Sequence, residues 1–278
     1  MKPTPLIIDT DPGIDDAVAI ALALYAPELD VKLITTVAGN VGIEATTGNA
    51  LKLLAYYGKD VPVAKGAAAP LIRQPEDASD IHGATGMEGF DFPEPKTELL
   101  LEKNAVEAMR DVLMAAEEPI TIMPIGPLTN IALLLKVYPE VKPQIKEIVL
   151  MGGSVTRGNK GVMAEFNIYV DPEAAKIVLD SGLKITMATL DAGLGTVIPP
   201  EQTAKLKDMG KVGLMSHDLF QLPQAQLRHR SEDVRLLRGR LHAAARPVHG
   251  AGDLRRCRAG RLPDCRLHRG RSQGLPQA

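Results

Sequence analysis

The chain has 278 residues, 45% of them hydrophobic, and a formal net charge of −2, enough for one large domain or two small ones with a sizeable core. It holds no apolar run of about 18 residues, so no membrane-spanning helix is expected. Its two cysteines, Cys257 and Cys265, are too few for a disulfide framework or a cysteine metal site.

The opening MKPTPLIIDTD meets acid too early for a signal peptide, and a cytoplasmic protein is the expectation. The charge is unevenly spread. Residues 1–221 carry 19 Lys and Arg against 30 acids, so 19 − 30 = −11, whereas residues 222–278 carry 13 Arg, no Lys and 4 acids, so 13 − 4 = +9.

In residues 1–221, apolar runs of strand length alternate with helical patterns. Strands are expected at 5–9, 31–38, 119–125, 147–152 and 184–189. Helices with i, i+3, i+4 apolar spacing are expected at 15–26, 43–58, 104–116, 128–139 and 171–182. Alternation of this kind predicts an α/β fold, a mostly parallel central sheet with helices on both faces. Ligand sites in such folds lie at the carboxyl ends of the strands. The first strand is followed there by DTDPGIDD, the second by Gly39-Asn40, the third by GPLTN and the fourth by GGSVTRGNKGVMAEFN.

The first of these places Asp9, Asp11, Asp15 and Asp16 within eight residues. Asp9 and Asp11 are two apart at a strand end and share a face. Pro12-Gly13 then turns the chain, and Asp15 and Asp16 open a helix, where acids are favoured and can cap. A single acid there would be read as a cap. Four repelling carboxylates call for a cation, and oxygen ligands without a nearby His or Cys select calcium or magnesium. Thr129-Asn130 reads as the cap of the helix that follows it. Gly152-Gly153 lacks the GK[ST] of a phosphate-binding loop.

DTDPGIDDAVAI, the Asn40 turn, IGPLTN and MGGSVTRGNKGVMAEFNIYVDPEAA together resemble the inosine–uridine-preferring nucleoside hydrolases, from about residue 5 to about residue 190 and more weakly to about 220. The resemblance implies a calcium-dependent N-ribohydrolase that cleaves ribonucleosides to ribose and free base. It implies calcium ligands at Asp11, Asp16 and the Ile125 carbonyl, with Asp11 also the general base. It further implies ribose contacts from Asp15, Asn40, Asn159, Glu165 and Asn167, with Asp9 supporting the cluster from behind. His82, in the glycine-rich DIHGATGMEG, resembles a mobile family loop that approaches the substrate; a plain solvated histidine is the other reading. Relatives of this kind form homodimers or homotetramers, and the substrate is a small molecule. Two other readings fit the first motif: a haloacid-dehalogenase-like magnesium phosphohydrolase using Asp9 and Asp11, and a non-catalytic ribose binder.

Residues 222–278 follow no sustained period and use Arg to the exclusion of Lys. With suitable codons, SEDVRLLRGRL (231–241) reads AKMYDSCAVAY one base out of frame, and CRLHRGRSQG reads GCTVVDLK. The expectation is an aberrant, poorly ordered tail frameshifted just after Phe220. A nucleic-acid-binding arm is the weaker alternative, for the tail has no stacking aromatics. In the family this region completes the calcium shell and supplies a histidine that protonates the leaving base. Neither role is assigned here, and an impaired enzyme with its fold incomplete at the C-terminus is expected.

Overall fold

The protein is described from a computed structural model that covers residues 2–194 and 198–221. These residues fall in one unit running to Arg246; the second unit, Pro247–Ala278, and the whole tail expected from residue 222 lie outside them.

The described strands are β1 (Thr4–Thr10), β2 (Leu29–Thr36), β3 (Val63–Lys65), β4 (Ile120–Pro124), β5 (Ile145–Met151) and β6 (Ile185–Ala188). They form one sheet in the order β3-β2-β1-β4-β5-β6, and every neighbouring pair is parallel. The described helices are α1 (Ile14–Tyr25), α2 (Ile43–Tyr57), α3 (Ser79–His82), α4 (Ala105–Met114), α5 (Thr129–Val137), α6 (Phe166–Val170), α7 (Pro172–Leu179), α8 (Leu190–Leu194), α9 (Pro200–Leu206) and α10 (Gly210–Gln221). The expected strands and helices all form. The pieces β3, α3, α6, α8, α9 and α10 are additional to those expected; β3, α3, α6 and α8 hold only three to five residues, too few to show a period.

Alternate strand residues enter opposite layers, as the pleat requires. Ile7 and Leu33 pack with Met109 of α4, Ile131 of α5 and Val178 of α7. Ile8 and Ile34 pack on the other face with Ile20 of α1, Leu53 of α2 and Met215 of α10. Helices therefore cover both faces, as expected. Each fully buried Leu or Ile contributes about 1.5–3 kcal/mol, so the two layers hold the sheet rigid behind the loops.

Chain order runs outward from β1 in one direction through β2 and β3, and outward from β4 in the other through β5 and β6. The direction of winding reverses between β1 and β4, and the crevice for a ligand opens at their carboxyl ends. Both strand ends bear the residues singled out from sequence. Asp9 pairs in register with Thr35 on one side and Pro124 on the other, and Ile125 N–H donates to the Asp9 carbonyl at 2.8 Å.

Candidate active site

The end of β1 is buried although polar: Asp9, Thr10 and Asp11 are at most 1% exposed. Such groups are tolerated only when hydrogen-bonded or paired with a cation. Asp9 Oδ1 accepts from Thr35 Oγ1 at 2.5 Å and from Asn130 Nδ2 at 2.8 Å. Burial pushes its pKa up to about 7, with the bonds from Thr35 and Asn130 acting the other way. Asn130 also donates to the Thr36 carbonyl at 2.9 Å and accepts from Ala67 N–H at 2.9 Å. Asn130 therefore ties β1 and β2 to the segment after β3 and does not cap α5, whose start has no side-chain cap. Its neighbour Thr129 donates to Asp171 Oδ2 at 2.7 Å.

Asp11 and Asp16 are joined by one residue. Asn40 N–H donates to Asp11 Oδ2 at 2.8 Å, and Asn40 Nδ2 donates to the Asp11 carbonyl at 3.0 Å and to Asp16 Oδ2 at 3.1 Å. Asp16 Oδ2 also caps α1 by accepting from Gly13 N–H at 3.0 Å, while Oδ1 accepts from Thr10 Oγ1 at 3.0 Å. Capping and site-building are thus one arrangement, and the two sequence readings of this acid coincide. Two glycines make room for Asp11. A Cβ on Gly39 would lie 2.1 Å from its Oδ2, and one on Gly126 would lie 2.6 Å from its Oδ1.

Asp15 is buried one residue earlier in the first turn of α1. His82 is buried too, at 2% exposure, which overturns the solvated reading. Its Nδ1 accepts from Ile14 N–H at 3.3 Å, so that nitrogen carries no proton in this arrangement. A Cβ on Gly13 would meet the ring at 2.6 Å. The DIHGATGMEG segment is therefore seated against the turn that carries the acids. Asn49 holds it there, donating to the Pro12 carbonyl at 3.0 Å and the Thr85 carbonyl at 2.8 Å.

The loop after β5 supplies the other side. Glu165 caps α6: its Oε2 accepts from Ile168 N–H at 3.3 Å and from Gly153 N–H at 3.0 Å. Asn159 is half-buried, and its Oδ1 accepts from Phe166 N–H at 2.9 Å. Asn167 Nδ2 donates to the Ile125 carbonyl at 2.9 Å and the Met151 carbonyl at 3.1 Å. The structure thus links Asp11, Asp16 and Asn40 in one hydrogen-bonded group, while the Asp9 carboxylate beside it is bonded separately, to Thr35 and Asn130. Asp15 and His82 lie at the adjoining start of α1, and Asn167 touches Ile125 at the end of β4. Hydrogen bonds at Asn159 and Glu165 hold the loop after β5 to the start of α6.

Sequence reasoning missed Thr10, Thr35, Asn49 and Asp171 as members of the supporting network. Asp171 is fully buried and accepts from Leu71 N–H at 2.9 Å, from Thr129, and from Ala174 N–H at 3.0 Å at the start of α7. The Asp-Pro start of α7 was the one signal available, since Asp before Pro marks a helix start.

The donors around Asp11 and Asp16 suit a hard divalent ion in kind: carboxylate and carbonyl oxygens, held in a buried space cleared by two glycines. A carbonyl has two lone pairs, so Ile125 retains one after accepting from Asn167. In number the set is short. Among the described residues no group of three or more His, Cys, Asp and Glu side chains is disposed to hold a metal. The acids fit as part of a shell.

A family model of inosine-uridine preferring nucleoside hydrolases matches residues 6–248. The chain belongs to that family. Among curated relatives, the non-specific ribonucleoside hydrolase RihC of Escherichia coli O1:K1 / APEC is 54% identical over 216 residues, covering 78% of this chain and 71% of the relative. RihC of Shigella boydii serotype 4 is 53% identical over the same shares. Among solved structures, the purine-preferring ribonucleoside hydrolase of Gardnerella vaginalis superposes with a TM-score of 0.79 at 33% identity, over 87% of this chain and 79% of that one. The plant nucleoside hydrolase PpNRh1 gives 0.78 at 32% identity, over 87% and 79%. The ribonucleoside hydrolase family thus accounts for the acids of β1 and the AEFN segment together, and the phosphohydrolase reading of Asp9 and Asp11 is not favoured. No described helix is long and apolar enough to cross a membrane.

Proposed function

We propose that the chain hydrolyses the N-glycosidic bond of ribonucleosides with calcium as cofactor, and that Asp11 is its general base. The carrying observation is the buried pairing of Asp11 and Asp16 through Asn40 at the switch point of the sheet. Calcium would be held by Asp11, Asp16 and the Ile125 carbonyl, with further oxygens from the substrate diol and water. When bound, it would supply the positive charge that acidifies a water and offsets the repulsion of the acids.

The chain's own groups supply the rest. Asp11 takes the proton of the attacking water, which needs a carboxylate within hydrogen-bond reach. Cleavage develops positive charge on the sugar ring, and the surrounding carboxylates and amide oxygens stabilise it. Asn40 and Asn167 commit their amide nitrogens inside the protein, so each offers a ribose its Oδ1 as an acceptor. Ribose hydroxyls donate to such acceptors. Asp15, Asn159 and Glu165 complete the ribose contacts in this reading, Asp9 backs the cluster, and His82, beside the acid turn, approaches the substrate.

A calcium-dependent salvage or catabolic enzyme acting on ribonucleosides in the cytoplasm, as a homodimer or homotetramer, is the setting this reading implies. The tail from residue 222 reduces its turnover, since the last calcium ligand and the leaving-group acid have no counterpart among the assigned residues. Base release from inosine and uridine tests the reading, measured on this chain and on a version with residues 221 onward in the shifted frame. Each is assayed after chelation and after calcium is returned. Calcium-dependent release that is stronger in the shifted-frame version is expected, with D11N inactive in both. Release unaffected by chelator, or by D11N, overturns it.

A further inference from the structure

The loop from Gly152 to Glu165 carries Asn159 and Glu165, and its first limb is exposed: Val155 is 76% exposed, and Thr156 and Arg157 lie at the surface. An exposed limb of this kind has no apolar packing to fix it. A carboxylate on another element takes that role. Asp191, in the first turn of α8, accepts from Val155 N–H at 2.6 Å and Thr156 N–H at 2.9 Å, and from the Thr156 hydroxyl. Beside it, Leu190 N–H donates to the Gly153 carbonyl at 2.9 Å. Three donors on one carboxylate, two of them successive backbone N–H groups, make a fixed geometry of charge-assisted bonds.

From Thr156 the chain has little slack before Asn159. Gly158 is so close to the far limb that a Cβ there would lie 1.8 Å from the Ala164 carbonyl. Asn159 N–H and Lys160 N–H both donate to that carbonyl at 2.9 Å, and Asn159 Oδ1 receives Phe166 N–H. On the outer side, Lys160 pairs with Glu76 at 3.2 Å, and Tyr169 Oη donates to Glu76 at 3.1 Å. The distal part of the loop is thus held by its own turn and by Glu76. The first limb is tied to it through Ser154 Oγ, which donates to the Met163 carbonyl at 2.8 Å, and through Gly153 N–H on Glu165. Asp191 fixes the stretch between these ties and Asn159.

We propose that Asp191 is a positioning residue: by clamping Val155 and Thr156 it holds the 152–165 loop in the place where Asn159 and Glu165 meet a ribose. It touches no substrate itself. The proposal rests on the ribonucleoside reading for what the loop meets, but the clamp can be tested without turnover. Positioning groups act by fixing the bound geometry, and small misplacements are costly. Losing the clamp weakens substrate capture more than it slows the bound substrate.

The test compares the full chain with D191A, D191N and T156V in two assays. In the first, trypsin cleavage after Arg157 is followed by mass. D191A is expected to be cut about tenfold faster than the parent, and T156V, which removes only the hydroxyl bond, by a smaller factor. In the second, the KM for inosine in D191A is expected to rise about tenfold with kcat within roughly twofold. D191N, with one acceptor oxygen instead of two, falls between. Equal cutting of D191A and parent overturns the clamp, and a fall in kcat at unchanged KM overturns positioning. Should D191A fail to fold, T156V keeps the carboxylate and both backbone bonds and carries the test alone. Absence of base release from inosine in both this chain and its shifted-frame version refutes the ribonucleoside reading; the cutting rates still judge the clamp.

Discussion

Asn40 holds Asp11 from two directions: its backbone N–H reaches Oδ2 at 2.8 Å, and its side-chain amide reaches the Asp11 carbonyl at 3.0 Å. The same amide extends to Asp16 Oδ2. One residue after β2 therefore sets the spacing of two carboxylates, one at the end of β1 and one in α1. N40A keeps the backbone bond and deletes both side-chain bonds. It is expected to cost about 1–2 kcal/mol of stability in urea unfolding. Because it frees the two carboxylates to move relative to each other, kcat/KM for inosine should fall on the order of 100-fold. Wild-type kcat/KM in a folded N40A protein would show that this spacing does not matter.

Gly39 and Gly126 matter for space, not for backbone freedom, since neither has a positive φ. G39A would drive a methyl to 2.1 Å from Asp11 Oδ2, and G126A to 2.6 Å from Oδ1. The carboxylate must move, so both variants are expected to lose nucleoside hydrolysis while the thermal transition drops by only a few degrees. Gly42, where a Cβ meets nothing within 4 Å, is the control. G42A should retain activity. Activity assays alongside circular dichroism melts separate these outcomes, and an active G39A would show that Asp11 is mobile.

The layered fold and much of the site could be read in the chain because both leave local marks. The sheet shows as apolar runs at strand length, and the acids show as density around Pro12-Gly13. Long-range partners leave no such mark. Asp9 meets Asn130 across 121 positions and Thr35 across 26, and nothing in the period of either segment pairs them. Thr129-Asn130 looks like a cap because caps are local, whereas both side chains in fact serve buried acids elsewhere. His82 was open between a site loop and a solvated position, since a Gly-rich stretch gives no burial signal. What buries it is Gly13, 69 positions away, whose missing side chain leaves room for the ring.

Asp171 should govern stability more than chemistry. Its fully buried carboxylate serves three donors, from the half-buried segment after β3, from α5 and from α7. D171A strands those donors and is expected to cost roughly 3–5 kcal/mol in urea unfolding. D171N keeps one acceptor oxygen and should cost less. T129V removes a single donor and should cost about 1 kcal/mol. A D171A chain as stable as the parent would mean that water replaces the carboxylate.

The Asp191 clamp carries its own pH signature. The bond from the Thr156 hydroxyl, followed by those from Val155 and Thr156 N–H, lowers its pKa from 3.8 to about 2. A carboxyl whose folded pKa is depressed adds stability above its unfolded value and loses it as pH falls through the folded one. The contribution is therefore complete above about pH 4 and fades between there and about pH 2, with no change across the neutral range. Pepsin works throughout that window. Cleavage of the parent within residues 154–164 should accelerate as pH drops from 4 to 2, relative to cleavage elsewhere in the chain. D191N, which lacks this carboxyl, should show a smaller acceleration, since only the other carboxylates that hold the loop, Glu76 and Glu165, remain. A parent ratio that rises no more than that of D191N would mean that the carboxylate's charge is not what holds Val155 and Thr156.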